Sequence, residues 1–166
     1  NYRILNEKTV EKIDKKIVKT EYGKFNLIMY KDLIFDETHL VLQKGKITKN
    51  SPTLVRVQQS NFYHDLLNIN EFGARWSVSD AMKKINEAGK GIILLIDGEN
   101  NKEIEFNEIN ASKKNRKTIP NNDPRRIGIG SQILRDLGVK KIKLMGSEVR
   151  YPSLSGFDLE VTEYVN

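Results

Sequence analysis

The stretch DPRRIGIGSQILRDLGVKKIKLM, residues 123–145, decides the fold class because it combines a helical pattern with a strand pattern. Its apolar residues recur on one helical face: Ile127, Ile133, Leu134 and Leu137. Two glycines open this predicted core helix, and Gly138 ends it. The basic run KKIKLM that follows predicts a strand.

A second helix and strand lie upstream of this stretch. From about Ser77 to Ala88 the apolar residues are spaced by three and four, with a serine cap before the helix and Gly89 after it. The run GIILLIDG at 91–98 is apolar for six residues, which is typical of a strand covered on both faces. Helices alternating with buried strands predict an α/β layer of mixed character.

The first sixty residues contain four β-rich runs separated by turn signals. They are two runs around Gly23 within KIVKTEYGKFNLIMYKD, then THLVLQKG and TLVRVQQ. We predict an antiparallel meander here, followed by a mixed sheet with two main helices. The polar segment 99–122 predicts a long loop with a short strand at 102–106, and GFDLEVTEYV at 156–165 predicts a closing strand with Leu159, Val161 and Tyr164 packed inward.

Length and composition further limit the kinds of protein to which the chain can belong. The 166 residues fit one domain, and the chain has no cysteine, which excludes disulfides and every thiolate metal site and fits a cytoplasmic protein. No apolar run approaches the roughly 20 residues of a membrane helix. Because the chain begins at Asn1 rather than Met, we expect residues 1–12 to be a linker from an upstream domain and residues 13–166 to form the domain itself.

Positive charge is concentrated in one region. Residues 111–150 carry eleven Lys or Arg against three Asp or Glu, a local net charge of +8 within a chain of net charge +6. Such a region either binds phosphate or nucleic acid or is a solvated loop and helix face. Nucleic acid is the less favoured partner, because no DNA- or RNA-reading motif is present and aromatic residues are few there.

At residues 123–145 the chain closely resembles GTP cyclohydrolase II. The family shows an acidic residue, any residue and an arginine, then GIG, an aliphatic helix ending in DLGV, and a basic strand. Further matches are TEYGKFNLIMYKD at 20–32, TLVRVQQS at 53–60, INEAGKGIILL at 85–95 and GFDLEVTEYV at 156–165. The resemblance implies the family's fold. It also implies an enzyme that opens the imidazole ring of GTP, releasing formate and pyrophosphate on the way to riboflavin, often fused behind a 3,4-dihydroxy-2-butanone 4-phosphate synthase domain.

The resemblance does not extend to the zinc-binding residues of the family. The family binds zinc through three cysteines, which correspond to Asn61, Phe72 and Ala74 in this chain. A catalytic zinc needs three protein ligands, and Phe and Ala offer none. His64 and Asp65 lie close in sequence, but two ligands on one loop do not complete a site. We therefore expect no zinc cofactor and a lost metal site.

Other family positions also differ. Asn101 stands where the family has a triphosphate-binding arginine, Ser77 where it has a glutamine, and Tyr151 where it has a substrate-binding lysine. The family's Thr-Asn-Asn-Pro turn is replaced by GSEVRY, which begins at Gly146.

Three functional positions survive. Asp123 matches the family's general base, Arg125 its proposed nucleophilic arginine, and Arg56 a substrate contact. From the residues alone, Asp123-Pro124-Arg125 is either an anion-binding corner at a helix start or an Asp cap with an ion pair.

Three functions remain open from the sequence. The leading one is a pseudoenzyme: a degenerate cyclohydrolase domain that folds with, dimerises or regulates an attached synthase. The second is an active cyclohydrolase acting on GTP or another purine nucleotide. The third is a module that binds phosphate or nucleic acid. We expect a same-chain synthase domain and a homodimer as partners, and no membrane.

Overall fold

The computed structural model describes residues 8–59, 62–69, 76–96, 106–107, 109, 124–146 and 158–166. These residues form one seven-stranded sheet of order β1-β2-β3-β5-β4-β6-β7 with a main helix on each face. The strands are β1 Val10–Thr20, β2 Gly23–Asp32, β3 Glu37–Lys44, β4 Thr53–Gln58, β5 Gly91–Leu95, β6 Lys141–Met145 and β7 Glu160–Val165. The helices are α1 Val78–Ala88 and α2 Pro124–Asp136. The predicted fold class, a mixed α/β sheet with two main helices, is confirmed.

Strands β1, β2 and β3 form the predicted antiparallel meander, but the prediction was wrong for the fourth strand. β5 lies between β3 and β4, antiparallel to β3 and parallel to β4. β6 and β7 then continue the parallel part of the sheet. The reason is the helical crossover: β4, α1 and β5 form a unit that returns the chain parallel to β4. The run GIILL is apolar enough to occupy the centre of the sheet.

Helix α1 begins and ends where the sequence predicts. The Ser77 hydroxyl accepts a hydrogen bond from the Asp80 amide at 3.1 Å, and Gly89 ends the helix with a φ of 79°. Its buried face packs on β5, where a Cβ on Gly91 would lie 2.6 Å from Ile85 Cγ1. The absent side chain at Gly91 therefore allows the helix to lie close to the sheet.

Replacing Ser77 by Ala should destabilise the protein by about 1 kcal/mol, because the Asp80 amide loses its partner. Urea unfolding measures this change. Ser77→Thr is the matched control, because it keeps the capping oxygen and should stay within about 0.5 kcal/mol of wild type. Equal stability of Ser77→Ala and wild type would contradict the capping role.

Helix α2 is confirmed, but its predicted start was wrong. Pro124 is its first residue, and the two glycines expected to open it, Gly128 and Gly130, lie inside it and are buried. Proline suits the first helical position because its missing N–H has no partner there anyway. A Cβ on Gly130 would lie 3.5 Å from Leu94 Cδ2, so the Gly130 side of α2 faces β5. Gly138, with a φ of 88°, follows the helix end as predicted.

The closing strand, the segment 102–106 and the domain boundary were also predicted from the sequence. Leu159 is buried and Val161 and Tyr164 pack against the core, as predicted for the closing strand. Phe106 is helical rather than extended, and the rest of the predicted strand at 102–106 lies outside the described residues. β1 begins at Val10, so the last residues of the predicted 1–12 linker pair with β2. The 13–166 domain boundary stays a prediction. Within the described ranges, every helix is too short or too polar to span a bilayer.

Candidate functional site

The carboxyl ends of β5, β4, β6 and β7 meet at one edge of the sheet, because these four strands run parallel. Ligands of open α/β sheets bind outside this edge. Three of the family's substituted positions follow these strand ends: Asn101 after β5, Gly146 directly after β6, and Tyr151 beyond it. Gly146 is described, whereas Asn101 and Tyr151 lie outside the described residues.

Arg56 lies on β4 at this edge, and its guanidinium is held by the protein itself. The residue is 7% exposed. Its Nε donates to Gln58 Oε1 at 2.7 Å, Nη1 to the Met145 carbonyl at 3.1 Å and Nη2 to the Trp76 carbonyl at 3.2 Å. Three of the five N–H donors therefore join β4, the end of β6 and the residue that precedes the cap of α1. This arrangement gives Arg56 a structural role, and its predicted contact with substrate stays a prediction.

Asp65 continues this polar network. It lies in a single π-helical turn, Phe62–Leu66, and its Oδ1 accepts from the Val78 amide at 3.0 Å. Gln58 Nε2 lies 3.4 and 3.3 Å from the two Asp65 oxygens. A carboxylate at a helix start is favourable because it meets free amides and the positive end of the helix dipole. The sequence pointed to Asp65 only as a stand-in zinc ligand, since no short-range pattern links it to a helix thirteen residues later.

The residues present do not fit the family's zinc. Asn61, Phe72 and Ala74 lie outside the described residues, but their side chains supply one neutral amide oxygen among the three. The Asp65 carboxylate already accepts hydrogen bonds from the Val78 amide and from Gln58. The three positions therefore lack the ligand set that zinc-dependent catalysis requires.

The surviving pair Asp123 and Arg125 lies at the start of α2. Arg125 is in the first turn of the helix, and Asp123 directly precedes the helix. The Asp123 residue and the Arg125 side chain lie outside the described part of the chain. Their predicted convergence on an anion stays a prediction.

A second polar network ties α2 to the opposite half of the sheet. The hydroxyl of Tyr30, which is fully buried, donates to Asp136 Oδ2 at 2.6 Å, and Lys8 Nζ contacts Asp136 Oδ1 at 2.6 Å. Burial alone would raise the pKa of Asp136, but the hydrogen bonds from Lys8 and Tyr30 outweigh it and lower that pKa. Burial and the Asp136 charge raise the pKa of Tyr30 well above its usual value. No sequence pattern pointed to this contact, which spans 106 positions.

Tyr30→Phe should destabilise the protein by about 2 kcal/mol at pH 7, because the part-buried hydrogen bond from this hydroxyl to the charged Asp136 carboxylate is lost. The difference from wild type should shrink below about pH 3.8, where Asp136 protonates first in the unfolded chain and then in the folded protein. It should also shrink above about pH 10, because the unfolded chain ionises Tyr30 while the folded protein keeps it neutral. Urea unfolding across the pH range measures both trends. Tyr22→Phe keeps the ring facing Lys83 and is the control; a pH-independent difference for Tyr30→Phe would contradict the pairing.

The sequence of this chain is similar to those of known proteins. The family described as GTP cyclohydrolase II matches residues 11–166. The 3,4-dihydroxy-2-butanone 4-phosphate synthase of Pseudomonas aeruginosa is 41% identical over 171 residues, covering 99% of this chain and 46% of that protein. The riboflavin biosynthesis protein RibBA of Cytophaga hutchinsonii is 33% identical over 175 residues, covering 99% of this chain and 43% of that protein.

A solved structure is similar as well. It is RibBX, a two domain 3,4-dihydroxy-2-butanone 4-phosphate synthase from A. baumannii, with 34% identity and a TM-score of 0.64. The match covers 99% of this chain and 42% of that one. The chain thus spans about half the length of the curated relatives it matches.

Proposed function

The chain belongs to the GTP cyclohydrolase II family, and from that premise we propose that it is a catalytically degenerate member serving riboflavin biosynthesis. Its partner is a 3,4-dihydroxy-2-butanone 4-phosphate synthase domain of the same protein. The domain contributes structure, dimer contacts or regulation to that synthase rather than turnover of GTP.

The observation that carries the proposal is the set of side chains at Asn61, Phe72 and Ala74, where the family has zinc-binding cysteines. Zinc lowers the pKa of its bound water from 15.7 to about 7. Without it the protein forgoes roughly 9 pK units of nucleophile activation, an upper bound of about 12 kcal/mol. No cysteine elsewhere in the chain can replace the missing ligands.

Two further observations support the proposal. Arg56, the counterpart of a substrate contact, donates hydrogen bonds to Gln58 and to two backbone carbonyls, which is compatible with a structural role. The relatives that match nearly all of this chain include proteins named as the synthase, and RibBX is described as a two domain synthase. Such names are consistent with a cyclohydrolase-like fold retained beside a working synthase.

The test is formate release from GTP by this chain, with a zinc-containing GTP cyclohydrolase II as positive control. We expect no release above the blank, with or without added zinc. Formate produced in proportion to the amount of this protein would overturn the proposal that the domain is catalytically degenerate. The role toward the synthase is tested by comparing the synthase rate and oligomeric state of the full-length protein with those of the synthase domain alone. Identical values for both would exclude a supporting role.

The alternative is an active cyclohydrolase that uses another metal or another purine nucleotide. Arg125 in the first turn of α2 favours it, because helix starts bind anions. A single-turnover assay with Mg²⁺ or Mn²⁺ and a panel of purine nucleotides decides between the two. Absence of ring opening across the panel would exclude the alternative.

A further inference from the structure

Three potential metal ligands meet at the hairpin that joins β2 and β3. Asp32 is the last residue of β2 and lies opposite Glu37, the first residue of β3, while His39 lies opposite Tyr30. Alternation along the strands directs Asp32, Glu37 and His39 to the face covered by α2. Asp32 and His39 are fully buried, and Glu37 is half-buried.

Asp32 has one oxygen that the described residues do not satisfy. Its Oδ1 accepts from the Ile34 amide at 2.9 Å and lies 3.5 Å from the Phe35 amide, which shapes the turn. Its Oδ2 is buried and has no hydrogen-bond partner among the described residues. Glu37 and His39 also interact with other residues, so the Asp32 oxygen is the informative one. A buried carboxylate oxygen without a partner is unfavourable unless a cation or a proton compensates it.

The spacing of the three groups suits a cation between them. Each contributes one oxygen or nitrogen, and these atoms all lie within 4.8 Å of one another. Two ligands of a tetrahedral zinc ion, each 2.0 to 2.2 Å from the metal, are about 3.4 Å apart. Movements of about 1 Å therefore bring the three atoms into one coordination sphere.

We propose that Asp32, Glu37 and His39 bind one divalent transition-metal ion. One imidazole and two carboxylates form a ligand set suited to Zn²⁺ or Mn²⁺. The ion neutralises two carboxylates and joins β2 to β3 beside the turn. It reaches the site from the hairpin tip, where Glu37 is half-buried and Leu33 is 58% exposed.

This site is separate from the family's zinc. The hairpin cluster uses β2 and β3 on the α2 face, whereas the family's ligand positions are Asn61, Phe72 and Ala74, beyond β4. Metal bound at the hairpin without formate release from GTP leaves the proposed function intact. Formate release from GTP by protein that also binds metal at the hairpin would overturn the proposed function alone.

The experiment is calorimetric titration of the whole chain, stripped with chelator, with Zn²⁺ or Mn²⁺ alone. We expect one ion per chain and a rise in Tm on loading. Glu37→Gln should weaken binding by at least about 30-fold, because even indirect partners of a metal ligand change affinity 10- to 100-fold. Asp36→Asn is the matched control: it removes a neighbouring carboxylate that is 83% exposed and paired with Lys31 at 3.0 Å, and it should bind as wild type does.

The position of the ion is read separately in the unmodified protein. Substoichiometric Mn²⁺ should broaden the imidazole proton signals of His39, and this readout needs no substitution in the buried cluster. Equal affinity in Glu37→Gln and Asp36→Asn would show that the ion binds elsewhere and would overturn the proposal. Absence of saturable binding would also overturn it and assign the cluster to a shared proton or an enclosed water.

Discussion

Replacing Arg56 by Met should destabilise the protein by roughly 3 kcal/mol. Three acceptors lose a charged donor, namely Gln58 Oε1 and the carbonyls of Met145 and Trp76. Each buried acceptor left without a partner costs about 1 to 3 kcal/mol, and the release of a buried charge offsets part of the sum. Urea unfolding measures the change in the free energy of unfolding.

Two other variants serve as comparisons for Arg56→Met. Arg56→Lys keeps the charge but not the planar fork, so it should recover only part of the stability. Arg135→Met removes an exposed arginine in the last turn of α2 and should change stability by about 0.5 kcal/mol or less. A nearly neutral Arg56→Met would mean that the guanidinium is not needed for folding. A contact with substrate would then become the favoured role of Arg56.

Gly146→Thr should also destabilise the protein by roughly 3 kcal/mol. Gly146 follows β6 with a φ of 145°, and a Cβ there would lie 3.1 Å from Arg56 Nη1. β-branched residues rarely adopt such a φ, and backbone strain of this kind costs about 1 to 3 kcal/mol before any clash. The amide of Gly146 donates to the Val165 carbonyl at 2.9 Å, so the backbone cannot turn away without losing that bond.

This substitution restores the threonine with which the family's Thr-Asn-Asn-Pro turn begins. Its penalty would show that the chain leaves β6 along a path that the family residue does not favour. Gly89→Asn is the control, because Gly89 has a φ of 79° and no atom within 4 Å of an added Cβ. Asparagine tolerates that conformation, so the control should lose about 1 kcal/mol or less. A Gly146→Thr protein as stable as wild type would contradict the packing of Arg56 against Gly146.

The local elements were largely predictable from sequence. The apolar spacing of α1, its Ser77 cap and its Gly89 stop are encoded within about a dozen residues, and the structure reproduces them. The start of α2 was not predictable, because Pro124 and the two glycines are both sequence signals for the start of the same helix. Gly128 and Gly130 are buried inside the helix, and Gly130 faces Leu94 on β5, so the position of the helix depends on partners distant in sequence.

The candidate site was predictable only in part. The resemblance to GTP cyclohydrolase II, carried by the motif at 123–145, predicted the family to which the chain belongs. It also identified Arg56, but sequence could not show that the guanidinium lies between two carbonyls 89 and 20 positions away. The grouping of Asp32 with His39 likewise depends on hairpin register, and a shift of one residue would send the two side chains to opposite faces.

The sequence by itself determined the alternation of strands and helices, the lack of any thiolate ligand and the family, because these depend on local pattern and residue chemistry. Only the tertiary structure decided that β5 separates β3 from β4, that Arg56 and Asp65 support the start of α1, and that two carboxylates and an imidazole meet beside one turn. The physical reason is that strand partners and buried polar contacts are chosen by competition among distant segments for the same core positions. A short stretch of sequence therefore does not determine which strand partners and buried contacts form.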